Sequence, residues 1–294
     1  MANTPVVVLD DTLTDIADAI RGKNGSQATY KPSEMPAAIT AIPTGGGGVG
    51  VTRGIDSNGV FGYPTENFTY QTPATATTLG TNALYYAFYL CTTITTLDLS
   101  SIITVSGDTA CNFVCGSASN LTTVNLSSLE TISGTSAFYQ AFSNCTNLTS
   151  VNVSSLETIS GNSACSYMFY NCNKLASINF SSLATISGTA ISAFYQAFSG
   201  CSKLTSISFP ALSTLTASQA FNQAFRYCST LTSVSFPALT TTSFGNNSNQ
   251  FASMLQGVTG CTVHFPAAIQ STIGNWSAVQ AGFGGTSTTV SFDL

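Results

Sequence analysis

Apolar residues return along this chain in a phrase of fixed length. In its clearest copy Leu148, Val151, Val153, Leu156 and Ile159 are apolar, and Thr, Ser, Asn and Glu fill the places between them. With the last residue of the V-x-V core as marker, copies fall at Leu99, Leu126, Val153, Phe180, Phe209, Phe236 and, degraded, Phe265. The intervals are 27, 27, 27, 29, 27 and 29 residues. Alternation of apolar and polar residues predicts a short strand buried on one face. A fixed period in this range predicts a solenoid of stacked units, none able to bury its apolar face alone.

Between strand phrases runs a return segment of the form S-G-x-x-A-F-x-x-A-F-x-x-C. There Phe138, Phe142 and Cys145 stand at i, i+4 and i+7, which predicts a short helix packed on the sheet. The expected fold class is therefore an α/β repeat solenoid: short parallel strands with short return helices, about six repeats over residues 83–266. Seven strands at about 4.8 Å would stack to only about 30 Å, a compact module and not a shaft.

The flanks read differently. In residues 1–43, Leu13, Ile16 and Ile20 share one helical face, and Ser33 is placed to cap a second short helix carrying Met35, Ile39 and Ile42. Thr44–Gly48 belongs to a Gly-rich linker over 44–50. Residues 51–82, with strand-like pieces at 59–63 and 67–71, suit an N-terminal cap. Residues 267–294 suit a closing helix over 267–281 and a last strand over 288–294 that shields the far edge.

Charge narrows the function classes. Charged residues are 6% of the chain and the net charge is −5, against roughly 25% charged in ordinary soluble proteins. Only Asp98, Asp108, Glu130, Glu157, Lys174, Lys203 and Arg226 are charged between 83 and 265. No basic stripe exists to neutralise phosphates, so nucleic acid is not an expected partner. No apolar run reaches the roughly 18 residues of a membrane span, so no membrane insertion is expected. The opening MANTPVVVLDDTLTD lacks the form of a secretory signal, which predicts synthesis and folding in the cytoplasm.

Nine cysteines are present, and Cys91, Cys145, Cys172, Cys201 and Cys228 each stand eight residues before a marker. One repeat position with no paired C-x-x-C predicts a column of buried free thiols, not a metal site or a disulfide framework. No metal or other cofactor is expected.

The phrase L-x-x-[VI]-x-[LVF]-x-x-L with F-x-x-C before it, plainest in residues 142–159, resembles the BspA-like (Treponema-type) leucine-rich repeats of bacterial surface proteins. The likeness covers about 80–265. The stretch LTDIADAIRGKNG…YKPSEMPAAITAI is similar to a segment at the start of many phage and prophage tail-associated proteins. Together these resemblances imply a non-enzymatic virion protein, a tail fibre or tip. Leu13, Ile16, Ile20, Met35, Ile39 and Ile42 would dock to other virion proteins of a homo-oligomeric assembly, and the repeats would attach to a host cell-surface glycan or protein. Two alternatives stand beside it: a BspA-like adhesin of the bacterial cell surface, and a purely structural decoration protein.

Candidate chemistry lies on the outward strand positions. One row reads Thr96, Thr123, Ser150, Ser177, Ser206, Ser233, Thr262, and a second Asp98, Asn125, Asn152, Asn179, Ser208, Ser235, His264. Two columns of neutral hydrogen-bonding groups suit a carbohydrate; the plainer reading is that such ladders satisfy one another. His264 is the only histidine and lacks a nucleophile in a recognisable context. Glu130 and Glu157 occupy equivalent sites, but Ala184 and Ser213 follow there, which marks repeat drift and not a catalytic pair. Tyr85, Tyr139, Tyr170, Tyr195 and Tyr227 either stack on sugars or flank the return segments.

Overall fold

A computed structural model describes residues 54–55, 61–62, 67–187, 192–242, 248–270 and 276–294. The expected helices of residues 1–43, the Gly-rich linker and the six docking residues lie outside that set.

The repeat phrase folds as expected into a parallel β-solenoid, with two columns of strands. The first column holds β3 (Phe68–Gln71), β5 (Ile94–Asp98), β7 (Thr123–Asn125), β9 (Ser150–Asn152), β12 (Ser206–Ser208), β14 (Ser233–Ser235), β16 (Thr262–His264) and β17 (Thr289–Ser291). The second holds seven two-residue strands: β4 (Thr78–Leu79), β6 (Thr104–Val105), β8 (Thr131–Ile132), β10 (Thr158–Ile159), β11 (Thr185–Ile186), β13 (Thr214–Leu215) and β15 (Thr241–Thr242). This second column is one unbroken parallel sheet in which threonine pairs with threonine from Thr78 to Thr241. A separate antiparallel pair, β1 (Gly54–Ile55) and β2 (Phe61–Gly62), precedes the stack.

The return segments are not helices. In coil 136–145 the N–H groups of Tyr139, Ala141, Ser143 and Cys145 bond three residues back, to Ser136, Phe138, Gln140 and Phe142. Those of Ser136, Phe138, Gln140, Phe142 and Asn144 instead cross to carbonyls of the next coil, at 2.7–3.0 Å. Ser136, Gln140 and Asn144 have φ of 52°, 50° and 58°, and the pattern repeats at Ser163, Tyr167 and Asn171. The segment is thus a ribbon of successive turns. A helix would spend every interior N–H on itself; the ribbon gives alternate ones to its neighbour. The left-handed residues cost roughly 1–2 kcal/mol each, and the stitching between coils offsets that cost.

The core follows the columns. Leu99, Leu126 and Val153 form an aliphatic stack; Phe180, Phe209, Phe236 and Phe265 continue it as rings with centroids 5.3–5.5 Å apart, nearly parallel. All nine cysteines are buried free thiols, as expected. Cys145, Cys172, Cys201 and Cys228 donate S–H to carbonyls of the preceding coil at 3.0–3.2 Å, which explains a thiol where an alanine would fill the space. Burial pushes Cys145 and Cys228 up to about 12, so these thiols are protonated at neutral pH and are poor nucleophiles.

At the corner after the second column, Gly107, Gly134 and Gly161 bring one coil's backbone against the previous one. A Cβ on Gly134 would lie 2.0 Å from the carbonyl oxygen of Gly107. At the C-terminal end α1 (Ala267–Gln270) and α2 (Trp276–Gly282) close the stack. Trp276 packs 5.2 Å from Phe265 and 4.6 Å from Phe292, ending the aromatic column. β17 pairs in parallel with β16 and adds a further rung.

Candidate functional site

The outward ladder is where the first column departs from regularity. Thr96, Thr123 and Ser150 pair in register, as do Asp98, Asn125 and Asn152. Beyond them, the coil at 177–179 forms no strand and keeps only an isolated bridge between Asn152 and Asn179. Pairing resumes at Ser206, Ser233, Thr262 and Thr289, and at Ser208, Ser235, His264 and Ser291. The face is therefore two four-stranded sheets with a discontinuity between them, while the second column passes the same coils intact.

The discontinuity falls where Val153 hands over to Phe180 in the core. Phe180 also faces Phe194 and Phe198 at 5.6 and 6.1 Å; ring stacking alone does not open the face, since Phe209, Phe236 and Phe265 stack at 5.3 and 5.5 Å beneath strands that stay paired. The next step along the stack is also one of the two 29-residue intervals.

An open groove of about 560 Å³ results, with walls of Ser150, Ser177, Asn179, Ser206, Ser208, Ser233 and Ser235 and a floor that includes Val151, Ile178 and Ile207. Its floor is less sealed than the rest of the face: Val151, Ile178 and Ile207 are 8%, 9% and 4% exposed, whereas Val124 and Val234 are at 0%. The hydroxyl and amide residues from Ser150 to Ser208 are exposed, while Thr123, Asn125, Ser233 and Ser235 are half-buried. No residue lining the groove ionises.

Part of the ladder does satisfy itself. Asp98, Asn125, Asn152 and Asn179 each accept the backbone N–H two residues on, at 2.9–3.2 Å, and so terminate their strands. This turn explains the recurring D/N-x-S triplets (Leu99, Leu126, Val153 and Phe180 in the middle place) without glycosylation. The Asn125 amide donates to Asp98 Oδ1 at 3.1 Å, and Ser235 Oγ to Ser208 Oγ at 2.8 Å. For Asn152 and Asn179 the turn holds the oxygen and fixes the amide, and among the described residues the nitrogen has no partner. These two are oriented donors.

His264 lies at the ladder's end with Nδ1 2.9 Å from Asp293 Oδ1. That hydrogen bond holds the Asp293 carboxyl below its ordinary range. In register His264 sits between Ser235 and Ser291. Glu130 and Glu157 are both exposed on neighbouring coils. Among the described residues no group of three His, Cys, Asp or Glu is placed to hold a metal ion, and no helix is long and apolar enough to cross a membrane.

The tyrosines pack against each other along the return ribbon. Tyr139, Tyr167 and Tyr195 meet edge to face at 5.6 and 5.2 Å; burial, with a hydrogen bond to Tyr195, pushes Tyr167 up. Tyr170 meets Tyr167 at 5.8 Å, Tyr85 lies 4.6 Å from Tyr86, and Tyr227 carries Arg226 4.6 Å above its ring. They flank the return segments. Residue-by-residue reading found the polar walls but missed the floor of Val151, Ile178 and Ile207, because those positions read as core in every coil. The only traces in the chain are the Val-to-Phe change and the 29-residue step.

Stacked coils of a strand and a return segment, with a polar ladder on one strand column, define a leucine-rich-repeat type of solenoid. The model of the BspA type leucine rich repeat region matches in six copies, over residues 64–195 and 139–256; the chain belongs to that family. No curated protein matches it. Among solved structures it is similar to the T. pallidum leucine rich repeat protein, at 18% identity and a TM-score of 0.34, covering 81% of this chain and 96% of that one. It is also similar to a leucine rich cell surface protein of Faecalibacterium prausnitzii A2-165, at 17% identity and a TM-score of 0.20, covering 78% and 83%. Likenesses at these scores carry no weight for function. The tail-protein resemblance finds no support in these matches; its residues lie outside the described part.

Proposed function

We propose that this chain is a non-enzymatic adhesion protein of the bacterial cell surface, which attaches through the polar ladder of its repeat solenoid to a partner on another surface. The observation that carries this reading is the groove: the polar ladder of the first strand column opens there into an exposed, charge-free cleft. The family match favours the adhesin reading over the virion one. In this reading the ladder supplies a surface that does not depend on long-range charge, and the solenoid holds its hydroxyls and amides in fixed register, so little ordering entropy is lost on contact.

The test is binding of the labelled full chain to intact bacterial and epithelial cells. Saturable binding that excess unlabelled protein displaces is expected. Binding no greater than that of the heat-unfolded chain would overturn the adhesion reading.

A further inference from the structure

The polar ladder runs the length of the solenoid, yet its chemistry is not uniform. Asp98 lies two coils to one side of Asn152, and the His264–Asp293 pair one coil beyond Ser235. Between these charged ends the groove is lined by uncharged residues, its walls mainly serine with Thr149, Asn179 and Pro210, and its floor is aliphatic. The same span is the only part of the described ladder where strand pairing lapses.

We infer that the groove between Ser150–Asn152 and Ser206–Ser208 is a subsite for an uncharged oligosaccharide, seated across the discontinuity. This rests on the adhesion reading and names the ligand class of that same face. Serine hydroxyls both donate and accept, and the pinned amide of Asn179 donates, so the walls match groups that do both, as sugar hydroxyls do. The C–H face of a pyranose ring is apolar and suits the floor of Val151, Ile178 and Ile207, which the lapse of pairing leaves slightly exposed. A groove of about 560 Å³ lies within the roughly 300–1,000 Å³ usual for small-ligand sites. An anionic glycan or an acidic peptide would find no cation here to balance its lost hydration, and burying an unpaired charge is unfavourable.

The test uses the full chain and two variants, Ser177→Trp inside the groove and Ser133→Trp at an exposed position beside the second strand column and off the ladder. Circular dichroism checks that both fold. Cell binding is measured after periodate treatment of the cells and, separately, after protease treatment. Calorimetry then follows cellohexaose, xylohexaose, maltohexaose and chitohexaose, with oligogalacturonate as the anionic probe, at low and high salt. The inference expects periodate to abolish cell binding, a neutral probe to bind with an affinity that salt leaves unchanged, and Ser177→Trp to weaken it about tenfold or more, while Ser133→Trp stays within about twofold.

Loss of cell binding to protease but not periodate would assign a protein ligand and overturn the inference, leaving adhesion standing. So would salt-sensitive binding of oligogalacturonate alone, equal losses in the two variants, or no bound neutral probe while the cells are still bound. Absence of any cell binding would instead remove the adhesion reading itself.

Discussion

Replacing Gly134 by alanine isolates the backbone contact that sets the spacing of the coils. The new Cβ would lie 2.0 Å from the oxygen and 2.5 Å from the carbon of Gly107, and 3.1 Å from the oxygen of Ser106. All three are backbone atoms, so no side chain can swing aside. Reaching ordinary contact requires the corner to open by about 1 Å, on a stack whose strands are about 4.8 Å apart. That opening stretches the bonds from Ser133 and Gly134 N–H to Val105 O, now 2.9 and 3.3 Å. Overpacking of this kind costs about 1–3 kcal/mol and each weakened bond about 1 kcal/mol, so a loss near 3 kcal/mol is expected. Gly80 provides the control: it stands at the same corner of the first coil, and among the described residues a Cβ there meets nothing within 4 Å. Urea unfolding followed by circular dichroism should place Gly134→Ala about 3 kcal/mol below wild type, with Gly80→Ala within about 0.5 kcal/mol. Equal stability of the two variants would refute the described contact between coils.

Three further outcomes follow from the same geometry. Phe209 is stacked on Phe180 and Phe236 at 5.3 Å and fully buried, so Phe209→Ala should cost about 3–5 kcal/mol in the same unfolding assay. The buried thiols link stability to alkaline pH. Burial holds Cys145, Cys228 and Cys261 up at about 12 in the folded chain, against about 8.5 when unfolded. The folded state therefore keeps protons that the unfolded state releases, and stability present at neutral pH is lost as pH rises from about 8.5 toward 12, by roughly 1 kcal/mol per thiol for each pH unit. Thiol titration with a chromogenic disulfide should find these groups unreactive at pH near 8 and released together on unfolding. At the far end, the Asp293 carboxyl should titrate below its ordinary range by NMR, and His264→Ala should return it there; an unchanged titration would mean the pair is not formed in solution.

Much of this architecture was legible in the chain. The 27-residue phrase fixes both the stacking and the register, because equivalent residues such as Thr123 and Ser150 must pair if every coil buries the same apolar positions. The thiol column was readable for the same reason. The return segment was not. Ala137, Phe138, Ala141, Phe142 and Cys145 are all buried, and their spacing fits one face of a helix as well as a ribbon of four-residue turns. Only the partners of the N–H groups, which lie a coil away, distinguish the two. The short second column was folded into the same phrase and went unseen, since Thr131–Ile132 is too brief to alternate. For the site, the polar walls followed from alternation, but the opened floor depends on the lapse of pairing at the coil of Asn179. That is a tertiary feature, and no local pattern carries it.

The most direct test of the account is a hydrogen-exchange footprint of the full chain bound to cell-surface glycan released from a strain it adheres to. The account predicts added protection at residues 149–151, 177–179 and 206–208, and none at the second column around 131–133 and 158–160. Protection confined to the tyrosine-lined return ribbon, or spread evenly over every coil of the ladder, would contradict it.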